Sequence, residues 1–310
     1  MKLYLAPIKG ITDTILRNAL AKYWGGFEAA IAPFFLLPST DIFDLKILED
    51  VKIENQLHSV IPQIITKSPR QAKIITKHLI DMGHEEVNLN FSCPFPIVIN
   101  KGRGSILMKN PELIREIIRT VKELPIDVSI KLRLGFDEYN QAQTLLDYLE
   151  SEDIMRVFLH ARLATQMYGG DVNLDAFKSI RARFPLIYNG DIRDKNDFMR
   201  IDKFLENQTE FMIGRGAIYN PAIFAQLRGK EYSETETSKI FREMIYELLA
   251  NYREKNGDFA LSQMKALWKY FCFGISDEQY IHQFFRVNEI TEMEKMLHDL
   301  PDWKVPIKGK

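Results

Sequence analysis

The hydrophobic positions of this chain change rhythm at regular intervals. Short apolar runs bounded by Gly, Pro or Asn alternate with stretches in which apolar residues recur every three or four positions. That is the pattern of buried strands followed by amphipathic helices. Leu3–Ala6 reads as a first strand stopped by Pro7 and Gly10, with Thr12 or Asp13 placed to cap a helix through about Tyr23. Glu28–Ala32 reads as a second strand, Thr40–Glu49 as a helix, and Ile61–Ile65 as a third strand carrying Gln63. Pro69 opens a helix with Ala72, Ile75, Leu79 and Met82 on one face. Val87–Asn90 is the fourth strand, Pro111–Val121 a strongly amphipathic helix, and Asp127–Arg133 a fifth strand ending at Gly135. Helix 138–149, strand 157–160, helix 174–183, strand 186–189, helix 194–205, strand 211–213 and a short helix 220–227 continue the series.

Eight such units in about 230 residues predict an α/β fold, a (β/α)8 TIM barrel, over a doubly wound open sheet with its usual five or six strands. The rhythm then stops. Gly229–Glu234 is polar and reads as a linker, and only helical patterns follow, at 240–254, 263–271 and 278–297. The expected organisation is a catalytic barrel over residues 1–230 and a small C-terminal all-helical domain over 235–310.

Composition narrows the picture modestly. With 46% hydrophobic and 27% charged residues, the 310-residue chain has the make-up of an ordinary water-soluble enzyme. A net charge of −1 provides no global field for nucleic acid, so an RNA partner requires a local basic patch. Cys93 and Cys272 form no disulfide framework, which suits a reducing cytoplasm and leaves a thiol free for chemistry. The first ten residues lack the features of a signal peptide, and no stretch approaches the roughly 18 apolar residues of a membrane span. A cytoplasmic protein, without membrane attachment and monomeric, is expected.

Chemistry gathers at the strand ends. In a barrel, Pro7, Gln63, Asn90, Cys93, Lys131, Arg133, His160, Arg162, Asn189, Asp191 and Arg215 share one rim, although they come from different strands. Each has a bland reading alone, but burying so many polar groups without partners is costly. Asn189-Gly190-Asp191 and Ile213-Gly214-Arg215-Gly216 close strands seven and eight, where barrels often hold phosphate. Their glycines admit an anion, Arg215 can grip it in a bidentate manner, and Asn220 is placed to start a helix facing it. Lys131 suits the reduced, anionic form of an electron-rich ring. No Gly-x-Gly-x-x-Gly follows a strand, no Walker motif is present, and the six histidines lack metal-ligand spacing.

These residues carry a resemblance. Leu5-Ala6-Pro7-Ile8-Lys9-Gly10-Ile11-Thr12-Asp13, Asn88-Leu89-Asn90 with Cys93-Pro94, Lys131-Leu132-Arg133-Leu134-Gly135, His160-Ala161-Arg162 with Gln166, Asn189-Gly190-Asp191 and Ile213-Gly214-Arg215-Gly216-Ala217 with Asn220-Pro221 occur in the order and spacing of one family. The chain resembles the dihydrouridine synthases, FMN enzymes that reduce uridine in tRNA with NADPH. The resemblance covers Leu3 to about Leu227, and the helical tail fits the family's C-terminal, RNA-binding domain. It departs at Ile8, usually methionine, at Ser92, usually glycine, and at Ala161 and Leu163, usually glycine and threonine.

The resemblance implies that Ala6, Pro7, Gln63, Lys131 and His160 line the flavin ring, while Asn189, Gly190, Asp191, Gly214 and Arg215 hold its ribityl chain and phosphate. It makes Cys93 the proton donor and places Asn90, Arg162 and Tyr168 on the substrate. Lys101 and Arg103 on the Cys93 loop, with Lys265 and Lys269 of the tail, are candidate RNA contacts. The rival readings are a flavin barrel acting on a free pyrimidine or dihydroorotate, uridine reduction in ribosomal RNA, an RNA-binding scaffold without catalysis, and a phosphate-binding barrel isomerase.

Overall fold

The computed structural model describes residues 1–36 and 44–306. Among the described residues ten strands form one parallel sheet: β1 (Lys2–Leu5), β2 (Ala29–Ile31), β3 (Phe35–Leu36), β4 (Ser59–Ile61), β5 (Gln63–Ile65), β6 (Glu86–Asn90), β7 (Asp127–Gly135), β8 (Arg156–Leu163), β9 (Leu186–Asn189) and β10 (Glu210–Ile213). Their order is β3-β5-β6-β7-β8-β9-β10-β1-β2-β4. The ends of that order meet. Proline cannot donate to a ladder, so Pro62 splits one stave into β4 and β5; β2 and β3 are likewise two pieces of one stave, pairing with β4 and β5 respectively. Eight staves thus close a (β/α)8 barrel.

Apolar side chains fill the lower interior: Tyr4, Ala29, Ile31, Ile61, Phe158, Ile187 and Met212 form one buried cluster. The outer faces of the strands pack against surrounding helices in a larger core. Those helices start where local chemistry directs. Asp13, Ser68, Asn110, Asn173 and Asp194 each accept a backbone N–H in the first turn of the helix they cap.

Several expectations change; the helix expected at 174–183, for one, spans Leu174–Ser179. The stretch expected as helix 40–49 appears as a 3-10 helix over Leu45–Val51, and its residues 40–43 lie outside the described residues. The short helix expected at 220–227 is confined to Ile223–Leu227, and a separate helix, Arg215–Tyr219, precedes it, so Asn220 ends that helix rather than starting one. The last helical stretch divides into Glu278–Arg286 and Ile290–His298.

A 23-residue helix, Glu234–Asn256, begins the C-terminal part with a Ser233–Glu236 capping box. It packs on the helix Thr14–Tyr23, where the Tyr252 hydroxyl donates to Asp13 Oδ1 at 2.9 Å and Tyr23 donates to Glu247 at 2.7 Å. Ala260–Phe271 follows, and Trp303 stacks on Phe241 at 4.3 Å. Among the described residues no helix is long and apolar enough to cross a membrane.

Candidate active site

Side chains alternate across a strand, so Asn88 and Asn90 share the inner face of β6, as Ser129, Lys131 and Arg133 share that of β7. The result is a buried amide ladder. Asn90 Nδ2 donates to Gln63 Oε1 at 2.8 Å, Gln63 Nε2 to Asn88 Oδ1 at 2.7 Å, and Asn88 Nδ2 to the Ser129 hydroxyl at 2.9 Å. All four side chains are buried, and the ladder satisfies them. Asn90 Oδ1 also accepts the N–H groups of Ser92 and Cys93, both at 2.9 Å. The amide that ends the strand therefore shapes the cysteine loop, and one of its N–H bonds remains to be offered upward.

The loop is fastened from two further sides. Arg133 donates from Nε to the Ser92 carbonyl at 3.0 Å, and Ser105 N donates to the Cys93 carbonyl at 3.0 Å. Burial raises the Cys93 thiol above its ordinary range, opposed by the Phe95 backbone N–H and the charges of Arg133 and Lys131. The thiol is protonated at neutral pH.

Lys131 is 7% exposed, and its Nζ donates to Asn189 Oδ1 at 3.0 Å. Among the described residues no ion pair involves it. Burial, aided by the neighbouring Arg133 charge, lowers its ammonium from 10.5 to about 7. Burial and the charges of Arg133, Lys131, Arg162 and Arg215 likewise drive His160 well below the ordinary imidazole range. His160 is neutral, and its Nε2 lies 3.3 Å from Arg162 Nη1, which can only donate. The imidazole proton therefore sits on Nδ1.

Arg162 is committed inside the protein. It donates to Asp191 Oδ1 at 3.0 Å and to the Gly170 carbonyl at 2.6 Å, tying the 166–171 segment to the β9 end. Arg133 adds bonds to the carbonyls of Leu163 at 2.9 Å and Met167 at 2.7 Å. Arg215 lies at the rim, 3.5 Å from Asp191 Oδ1. Gly214 precedes the helix Arg215–Tyr219, whose first N–H groups have no intrahelical acceptor. Gly216 permits a close approach that no side chain tolerates: a Cβ there would fall 1.9 Å from the Ile192 carbonyl oxygen.

The structure thus brings together Ala6, Gln63, Asn90, Cys93, Lys131, His160, Asn189, Gly190, Asp191, Gly214 and Arg215 at the C-terminal mouth, with Pro7 partly exposed beside them. Tyr168 hangs over the same mouth, its ring centroid 5.4 Å from the guanidinium carbons of both Arg133 and Arg215. Lys101 is exposed on the loop, whereas Arg103 is 8% exposed. Arg162 is a brace rather than an open contact, because Asp191 and two carbonyls take its donors. Sequence reasoning passed over Asn88 and Ser129. Their signal was the alternation that sets them on the inner face with Asn90 and Lys131.

Comparison with known proteins bears on the family and the fold. The sequence profile of the dihydrouridine synthase family matches residues 4–301. A probable tRNA-dihydrouridine synthase of Staphylococcus aureus is 26% identical over 311 residues, covering 95% of this chain and 92% of the relative. A tRNA-dihydrouridine(16) synthase of Neisseria meningitidis is 26% identical over 282 residues, covering 85% of this chain and 84% of the relative. The fold is shared with histamine dehydrogenase from Rhizobium sp. 4-9 (TM-score 0.56, 12% identity), with 86% of this chain covered and 49% of that longer one. A variant of NCR from Zymomonas mobilis shares it too (TM-score 0.50, 13% identity, 76% of this chain and 90% of that one).

Proposed function

Because the chain belongs to the dihydrouridine synthase family, we propose that it reduces a uridine of tRNA to 5,6-dihydrouridine at the C-terminal mouth of its barrel, with FMN as cofactor. The observation that carries the reading is the buried, carboxylate-free Lys131 ammonium amid neutral amides. A cation in that setting needs an anion, and a flavin ring that gains negative charge when reduced fits the need. The donor set fits the rest of the cofactor. Gln63, Asn189 and neutral His160 offer hydrogen bonds to ring edges, and Arg215 at the rim offers charge for a phosphate. When bound, FMN supplies the hydride for C6 of uracil, with NADPH as its reductant.

The chain's own groups do the remainder. The C5=C6 bond is conjugated to the C4 carbonyl, so addition at C6 leaves negative charge over C5 and that oxygen. The Cys93 thiol, kept protonated by burial, would deliver its proton to C5. Asn90 holds the loop that carries the sulfur and retains an N–H for the base. Tyr168 and Lys101 would meet the RNA outside the barrel, and the helices from residue 234 onward would extend that surface.

The test is direct. The purified protein should be yellow with absorbance near 450 nm, about one flavin per chain. RNA from a strain lacking the gene should lose dihydrouridine at a mapped tRNA position, and the protein should restore it. Unaltered tRNA together with turnover of free uracil or dihydroorotate would reject the reading in favour of a small-molecule flavin barrel.

A further inference from the structure

We propose that Phe95, at the tip of the Cys93 loop, is a stacking ledge for the nucleotide next to the target uridine. The proposal rests on the uridine-reducing function proposed above. Large apolar side chains exposed singly need no explanation. These are not single: Phe95 is 44% exposed, Ile97 72% and Tyr168 43%, and they sit at the site itself. Phe91, Cys93 and Val98 of the same loop are each below 9%.

The ledge is rigid. The Phe95 backbone N–H bonds the Cys93 sulfur, and its carbonyl accepts the N–H groups of Val98 at 2.8 Å and Ile99 at 3.0 Å. The Phe95 ring leans on Tyr168, centroids 5.8 Å apart and planes at 48°, and Tyr168 is flanked by the guanidinium groups of Arg133 and Arg215. The ring is thereby held against Tyr168 while Phe95 stays 44% exposed. Phe95 and Cys93 are two residues apart, at most about 7 Å along the chain, a separation that suits neighbouring nucleotides of an unstacked strand. Cations lie beside it for the backbone: Lys101 is exposed, and Lys67 packs against Gly102. A base drawn from its stack into the mouth costs its neighbour a stacking partner. Phe95 would replace that partner without reading sequence, since every base has a π-face.

The experiment compares Phe95→Ala, Phe95→Leu and Phe95→Trp with the parent protein, using tRNA from a strain lacking the gene as the probe. Filter-binding affinity, dihydrouridine formation and the rate of Cys93 labelling by a disulfide reagent are measured. Phe95→Ala should weaken tRNA binding about 5- to 100-fold, Phe95→Leu should recover little of this, and Phe95→Trp should return to within about threefold. Cys93 labelling should stay unchanged throughout. Equal affinity of Phe95→Ala overturns the proposal, and is what a patch reserved for a protein partner gives. Full recovery with Leu overturns it as well. So does a change in Cys93 labelling that parallels the affinity and that Trp does not repair. Should the parent protein bind tRNA without forming dihydrouridine, the functional reading fails, while the Ala–Trp contrast in affinity still decides the ledge.

Discussion

At Lys131 stability and function pull in opposite directions. Burying an ammonium against one neutral amide penalises the charged form, yet the charge is what a developing anion in the barrel mouth requires. Lys131→Met should therefore raise the Tm of the flavin-free protein by about 2–5 °C while weakening FMN binding, both read from thermal melts with and without FMN. The pH dependence gives a second check. Lys131 holds its proton up to about 7 in the folded protein and to its ordinary 10.5 unfolded, so between those values the unfolded chain binds the extra proton. This residue makes stability rise with pH across that window, and Lys131→Met should remove that part of the slope. In the proposed reaction Cys93 is the acid rather than a nucleophile. Its raised thiol keeps the proton donor intact through neutrality, so dihydrouridine formation should decline only on the alkaline side of the ordinary thiol range. Cys93→Ala should keep the flavin spectrum and lose about 100-fold or more of the reduction rate. Residues of this kind were legible because strand alternation places Lys131 with Arg133, and His160 with Arg162, on one face. What alternation cannot show is which partner a side chain meets. Arg162 turns to Asp191, because the end of β9, distant in sequence, meets it.

Among the elements, the cysteine loop and the end of β8 show how irregularity is used. The β7–β8 register passes from Arg133↔His160 to Gly135↔Leu163, so β8 carries one extra residue there. Such a bulge turns the strand end, and here it accompanies the bracing of the 166–171 segment by Arg162. The cysteine loop depends on Gly104, with φ at +68°, where a Cβ would fall 2.6 Å from the Cys93 carbonyl oxygen. Gly104→Ala should cost about 1–3 kcal/mol in urea unfolding and speed Cys93 labelling, since the loop must shift to admit the methyl group. Element boundaries were legible where caps and prolines mark them, as at Ser68-Pro69 and Asn110-Pro111. The helix Arg215–Tyr219 was hidden because Gly-Arg-Gly reads as a loop by propensity. Conversely, the gap between Arg286 and Ile290 was hidden because no glycine or proline marks it, and the apolar period runs through.

For the whole molecule, the proposed reaction requires a chain of net charge −1 to hold a polyanion. Phosphate contacts must then be local, and their number sets the salt dependence of binding. The C-terminal helices are not a detached module: Tyr252 reaches Asp13 beneath the barrel's first helix, and Tyr270 lies 5.2 Å from Tyr219, next to the helix that carries Arg215. The helix Ala260–Phe271 is therefore fixed beside the mouth, and Lys265 and Lys269, four residues apart, share one of its faces. RNA delivering a base to Cys93 and lying across this helix would meet both. Replacing both lysines with Glu should weaken tRNA binding and lower the slope of log affinity against log salt by about 2. The rate at saturating tRNA should stay near that of the parent, because neither residue touches the mouth's buried groups. Binding isotherms at several salt concentrations measure the slope. An unaltered slope would move the RNA path off the helical face and onto the Lys67–Lys101 side of the barrel, where the cysteine loop already offers exposed cations.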